Sequence, residues 1–466
     1  MKIDLFKQRY LVMGLGISGF NVAKYLIERG VSVYVNDISD SDMIVERISL
    51  LEKLSRERGG EFKYFLSTHD NYEMLEGVNI ILLSPGISPQ LKVLEDARKR
   101  GILITNDIQL FYWIYGGDLI AVTGSNGKST TVSMISYILN HCGRKSIAAG
   151  NIGKGVFELG EEDVKENIIV LELSSFQLET MIDFRPKYGV LLNITPDHLD
   201  RHVSFEKYAM AKLNLFKNQK SEDFAVVNDE VSFREFFEGI NSQVYGFRRD
   251  KPLKNFKRGI YLLNNKIIKR NGNSESPVLS LNDFPLEGPH NMENFLASFM
   301  VLSIMGIGHE EIVNGIKGFK SLPHRMEFLG EINGVKFFND SKATNVDSAV
   351  MAVKSFENGV HLILGGRDKK TDLSPLFEAM EGRVKYVYLI GEAAERFSRE
   401  MGDRFKKIMV GSLKEAVIKA FSISKKGDVI LLSPACASFD MFENFMHRGE
   451  EFKKIFMELK GRVENG

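Results

Sequence analysis

Two cysteines, a single tryptophan and no surplus of either charge mark what this sequence has little of. Cys142 and Cys436 are too few for a disulfide framework or a metal cluster; they fit a reducing compartment and are read as packing residues. Lysine plus arginine equals aspartate plus glutamate at 61 each, so no bulk field draws the chain to nucleic acid or to an anionic membrane. A small phosphorylated ligand needs only local charge and stays compatible. No apolar run approaches the roughly 18 residues of a membrane helix. The opening MKIDLFKQRYLVMG has no apolar stretch followed by a small-residue cleavage site. The expectation is a cytoplasmic monomer with no nucleic-acid partner and no membrane insertion.

What is present is an ordinary globular composition, 44% apolar and 26% charged over 466 residues, enough for two or three domains. The first hundred residues alternate strand-like and helix-like pieces: RYLVMG, the helical SGFNVAKYLIERG, VSVYVND, VNIILLSPG and GILIT. Such alternation predicts a parallel sheet with crossover helices. The pattern restarts near Ile108 with DLIAVTG, NIIVLELSS, YGVLLNIT and DFAVVND, and again near Leu322 with VKFFND, VHLILGG, VKYVYLIG and DVILLSPA. Residues 250–280, rich in turn residues, read as a hairpin insertion. The expected boundaries are 1–106, 107–321 and 322–466.

Two glycine loops carry the chemistry. Gly124, Gly127, Lys128 and Ser129 form G-x-x-G-K-S between a strand and a helix, where backbone N–H groups, a helix N-terminus and an ammonium converge on anionic oxygens. The loop is two residues shorter than the P-loop pattern, and the competing reading is a capped strand-to-helix turn. Gly14, Gly16 and Gly19 satisfy G-x-G-x-x-G, with Asp37 closing the next strand. Those glycines suit a dinucleotide, a nucleotide-sugar diphosphate, or tight helix–strand packing alone. Glu172 ends an apolar strand, and Asp197 and His198 follow the next one, so both strand ends face the crevice into which a parallel sheet directs its ligand. A hard cation bridging phosphates would use that carboxylate and the Ser129 hydroxyl. Lys212, in helical YAMAKLNLF, reads by itself as a solvated surface lysine. In the last third, Asp340 and Lys342, Arg367 and Lys369, and Ser438 follow three strands; cations beside hydroxyls suit a carboxylate substrate, against the plainer reading of helix-end charge and turn capping.

Taken together, GLGISG, SPGI, TGSNGKST, GNIG, ELSSFQLE, TPDHLDRH, YAMAKL, GPHNMEN, PHRMEF, NDSKATN, GGRDK and LLSPACASFDMFENFMHRGEEF make the chain resemble the Mur ligase family of peptidoglycan synthesis. The C-terminal motifs are similar to those of the member that adds D-glutamate. The resemblance implies an α/β fold of three domains: a Rossmann-like N-terminal domain that binds UDP, a central P-loop-type ATPase domain, and a Rossmann-like C-terminal domain that binds the amino acid. It implies ATP on Gly124, Ser125, Asn126, Gly127, Lys128, Ser129 and Thr130, with Asn291, Asn294, Arg325 and Asp340 around the nucleotide. It implies UDP-N-acetylmuramoyl-L-alanine on Gly14, Gly16, Ile17, Ser18, Gly19, Asp37, Gly86 and Asn151, and D-glutamate on Lys342, Thr344, Lys369, Ser438 and Phe445. Two Mg²⁺ ions are implied on Ser129, Glu172, His198 and a carbamylated Lys212, with Lys128, Glu172, His198 and Lys212 as the catalytic set.

Overall fold

The computed structural model describes residues 4–197, 199–281, 284, 288–320 and 322–464, the side chains of 199 and 200 excepted. It forms two compact units: Met1–Asn282 with Asn294–Ile316, and Asp283–Glu293 with Lys317–Gly466. The first unit holds two sheets and the second holds one.

The first sheet contains β1 (Tyr10–Met13), β2 (Val33–Asp37), β3 (Phe62–Leu66), β4 (Ile80–Leu83) and β5 (Leu103–Thr105), in the order β3-β2-β1-β4-β5. All of its pairings are parallel. β1 and β4 are buried at every position, as strands covered by helices on both faces must be. The chain winds outward in opposite directions from β1 and β4, which opens a crevice at their C-terminal ends.

The second sheet contains β6 (Leu119–Thr123), β7 (Ser146–Gly150), β8 (Ile168–Glu172), β9 (Tyr188–Leu191), β10 (Phe224–Asn228), β11 (Gln243–Arg248), β12 (Arg258–Leu263), β13 (Lys266–Asn271) and β14 (Ser274–Ser280). Its order is β14-β13-β12-β11-β10-β9-β6-β8-β7. The segment expected as a hairpin insertion contains that hairpin, β12–β13, and continues beyond it: β12 pairs parallel to β11, and β13 and β14 then extend the edge antiparallel. Asn264 and Asn265, both at positive φ, make the two-residue turn between β12 and β13. β6 lies between β8 and β9, so the loop after it opens at the second crevice.

Side chains following β5 fasten the first sheet to the second. Asn106 Nδ2 donates to Gln177 O at 2.6 Å, and Gln109 Oε1 accepts from the backbone N–H of Ile182 at 2.8 Å. The lone tryptophan, Trp113, donates to Asp183 at 2.7 Å. Cys436 is a core residue of the second unit, as expected. Cys142 is only half-buried where helix Lys128–His141 ends, so it is not.

The second unit contains β15 (Glu327–Ile332), β16 (Val335–Asn339), β17 (Val360–Gly365), β18 (Val384–Ile390), β19 (Lys407–Met409) and β20 (Val429–Leu432), in the order β15-β16-β20-β17-β18-β19. β15 and β16 form an antiparallel hairpin, and the remaining pairs are parallel.

Candidate active site

Gly124 and Gly127 shape the loop after β6. Gly127 has φ +85° and caps helix Lys128–His141. A Cβ there would lie 2.2 Å from Asn294 Oδ1, so only glycine fits. The loop is held from β9: Asn193 Oδ1 accepts from Asn126 N at 2.8 Å, its Nδ2 donates to Asn126 O at 3.1 Å, and its carbonyl accepts from Ser125 N at 3.0 Å. The Ser125 hydroxyl lies 2.8 Å from the Tyr208 hydroxyl. Asn193 and Tyr208 were not singled out from the sequence; the asparagine after an apolar strand in LLNIT was the only signal available.

Six of the candidates meet here. Lys128 Nζ donates to the carbonyls of Gly124 and Ser125, both at 2.8 Å, so it lies back over its own loop. Lys212 Nζ donates to the same Gly124 carbonyl at 2.9 Å. Ser129 Oγ donates to Glu172 Oε2 at 2.5 Å, and Asn151 Nδ2 donates to Glu172 Oε1 at 3.2 Å. Thr130 is buried beside them, on the first turn of the helix.

Lys212 overturns its reading as a solvated surface lysine. It is 2% exposed, because the last turn of helix Phe205–Leu213 faces inward. Its ammonium is held well below the usual lysine range, first by burial and then by Lys128, against the opposing pull of Asp197 and Glu172. A buried cation tolerates this position poorly.

The donor set fits a magnesium ion. Hydroxyl and carboxylate oxygens of Ser129 and Glu172 converge in a buried spot beside the helix N-terminus, and hard cations take oxygen ligands. His198 lies outside the described residues. Among the described residues no cluster of three or more His, Cys, Asp or Glu side chains converges. Asn294 Nδ2 is buried without a hydrogen-bond partner next to Gly127, a donor waiting for an acceptor.

The second glycine loop follows β1. A Cβ at Gly19 would fall 1.9 Å from Gly14 O, so helix Ile17–Ile27 packs directly on the loop. A Cβ at Gly16 or at Gly86 would meet nothing within 4 Å; both faces are open to a ligand. Asp37 Oδ2 accepts from Leu15 N at 2.7 Å and Oδ1 accepts from Ser39 N at 2.9 Å, so its carboxylate clamps the loop. Ser18 donates to the buried carboxylate of Asp107, and Ile17 is exposed.

The second unit, taken by itself, gathers most of the remaining candidates at the C-terminal ends of its strands. Asp340 follows β16, accepts from Ser433 Oγ at 2.9 Å and from Met326 N at 3.2 Å, and is raised to about 7 by burial. Lys342 Nζ lies 3.8 Å from the centre of the Phe445 ring, and Thr344 N donates to Lys342 O at 2.8 Å. Ser438 is buried after β20. Lys369 lies after β17 beside Asp368, which Arg396 holds with two bonds of 2.7 Å. Arg448, fully buried, donates to Ser341 O at 2.8 Å and to Cys436 O at 3.1 Å. It joins the loops after β16 and β20 and was present in the sequence only as part of FMHRGEEF. Arg325 follows His324, whose φ is +63°. Asn291 lies on the first turn of helix Pro289–Ile304, in the stretch counted with this unit.

A glycine-lysine-serine loop at the switch point of a parallel sheet, facing a strand-end carboxylate, defines a phosphate-binding α/β protein. Its family is more particular: the chain belongs to the Mur ligases. Family models described as Mur ligase MurD-like N-terminal domain, Mur ligase middle domain, and Mur ligase glutamate ligase domain match residues 8–106, 122–302 and 324–436. The UDP-N-acetylmuramoylalanine--D-glutamate ligase of Alkaliphilus oremlandii is 37% identical over 98% of this chain and 100% of its own length. That of Koribacter versatilis is 39% identical over 98% and 99%. Among solved structures, the MurF ligase of Thermotoga maritima in complex with ADP has a TM-score of 0.59 at 16% identity over 99% of both chains. MurC of the same organism has 0.57 at 18% over 97% and 100%. These two likenesses are of fold.

Proposed function

We propose that the protein joins D-glutamate to UDP-N-acetylmuramoyl-L-alanine at the expense of ATP, in the assembly of peptidoglycan precursors. The observation that carries this reading is the strand-end cluster of Lys128, Ser129, Glu172 and Lys212, in a chain whose full length matches relatives bearing that activity in their names. UDP sits on the crevice of residues 1–106, the triphosphate on the loop of residues 107–321, and D-glutamate on the strand ends of residues 322–466. The compartment is the cytoplasm; among the described residues no helix is long and apolar enough to cross a membrane.

An ionised carboxylate resists attack by an amine, so the alanyl carboxylate is first activated. One of its oxygens attacks the γ-phosphorus of ATP, the bond to the β,γ-bridging oxygen breaks, and ADP leaves an acyl phosphate. The neutral amine of D-glutamate then attacks the acyl carbon, the nitrogen gives up one proton, and inorganic phosphate departs with the oxygen that came from the carboxylate, carrying that proton away as hydrogen phosphate. Lys128 turns from its loop carbonyls to the transferred phosphoryl group, and the N–H groups opening helix Lys128–His141 hold its oxygens. Ser129, Glu172, His198 and a carbamylated Lys212 would hold Mg²⁺, which when bound neutralises phosphate charge. Carbamylation is addition of CO₂ to the neutral amine with loss of one proton, and the depressed ammonium of Lys212 supplies that amine. Asn151 links Glu172 to the muramoyl side, and Lys342 meets the acceptor's carboxylates.

Phosphate release from ATP with UDP-N-acetylmuramoyl-L-alanine tests the reading across D-glutamate, L-glutamate, L-alanine, L-lysine and diaminopimelate. Release that requires D-glutamate is expected. Release supported by another acceptor moves the activity to a sibling ligase, and none with any acceptor refutes it.

A further inference from the structure

Arg201 stands where the first two sheets meet, at the end of the short helix Leu199–His202. Its guanidinium takes three carbonyls of one turn: Nη2 donates to Ile87 O at 2.7 Å, and Nη1 reaches Gly86 O at 3.4 Å and Pro85 O at 3.5 Å. That turn follows β4, and Ser84 beside it donates to Gly14 O at 2.7 Å. One side chain therefore fixes the turn that closes on the glycine loop of β1. On its other side the guanidinium lies 4.8 Å from the centre of the Phe176 ring and 4.0 Å from Glu179. Phe176 and Glu179 belong to helix Ser175–Glu179, which follows the strand ending in Glu172.

A planar fork stacked on an aromatic face, with N–H groups directed at an arc of carbonyls, is an arrangement lysine does not reproduce. The Gly86 face that this grip presents is open, as is the face of Gly16, so the turn is held from behind and empty in front. We infer that Arg201 is a positioning residue for the UDP-sugar substrate, fixing the Pro85–Ile87 turn and tying it to the segment that carries Asp197. The inference rests on the ligase reading above; it adds a residue none of whose atoms need touch the substrate.

The test is calorimetric titration of UDP-N-acetylmuramoyl-L-alanine, and separately of the non-hydrolysable ATP analogue AMP-PNP, into wild type, Arg201→Ala, Arg201→Lys and Phe176→Leu, with steady-state kinetics on each. Arg201→Ala is expected to weaken the sugar substrate about tenfold and raise its KM alike. Affinity for AMP-PNP and the KM for D-glutamate should stay within about twofold of wild type. Arg201→Lys should recover only part of the sugar affinity, and Phe176→Leu should lose a smaller part, without touching the charge. Sugar affinity unchanged in Arg201→Ala overturns the inference. So does an equal loss for both ligands, which marks a general structural role. Absence of sugar binding by the wild type overturns the ligase reading, and this inference with it.

Discussion

Lys212 answers two opposed demands: its stem is packed in the core of the central sheet, while its amine bonds to the same carbonyl as Lys128. Burial and the neighbouring cation favour the neutral amine, which is the form that adds CO₂. With ¹³C-labelled bicarbonate, a carbamate carbonyl resonance is expected in the wild type and should be missing in Lys212→Met; identical spectra would remove the carbamate from the account. Asp340 gives a test through pH. Burial raises its carboxyl to about 7 from an ordinary value near 4. Between these values the folded state keeps a proton that the unfolded state has lost, so stability falls as pH rises through that window. Asp340→Asn removes the term. The variant's denaturation midpoint relative to wild type should rise from pH 4 to pH 7.5, and a flat difference would contradict the burial argument.

At the scale of elements, the strand–loop–helix unit around β6 depends on one conformation. Gly127→Ala places a Cβ 2.2 Å from Asn294 Oδ1 at φ +85°. The expected result is a stability loss of about 1–3 kcal/mol together with loss of AMP-PNP binding, read by urea denaturation and calorimetry. Normal nucleotide affinity would show that the loop does not hold the phosphates. Elements of this kind were legible in the sequence because buried parallel strands are short apolar runs and their helices begin at glycine or a capping residue. The hairpin was half legible: its Asn264–Asn265 turn is a local signal, but its pairing with β11 comes from chain far outside any local window. The same reason hid Asn193, Arg201 and Arg448. Each acts on backbone carbonyls or amides that sequence order separates widely and sheet order brings close. Lys212 misleads in isolation for a related reason, since a helical pattern does not say which face the last turn buries.

At the scale of the molecule, three sheets, one wholly and two mostly parallel, place most of the candidate residues at C-terminal strand ends: those proposed for the sugar substrate after β1 and β4, those proposed for the phosphates after β6 and β8, and those proposed for the acceptor after β16, β17 and β20. Chemistry assigned to three separate crevices makes one prediction that no single crevice makes, namely that the alanyl carboxylate surrenders an oxygen to the phosphate of ATP before the amine arrives. The decisive measurement uses UDP-N-acetylmuramoyl-L-alanine labelled with ¹⁸O in its carboxylate, with ATP, Mg²⁺ and D-glutamate, and determines the isotope content of the released phosphate by mass spectrometry. One ¹⁸O per phosphate is expected with fully labelled substrate. Phosphate free of label, formed while the amide product accumulates, would contradict activation through an acyl phosphate and with it the role given to the loop.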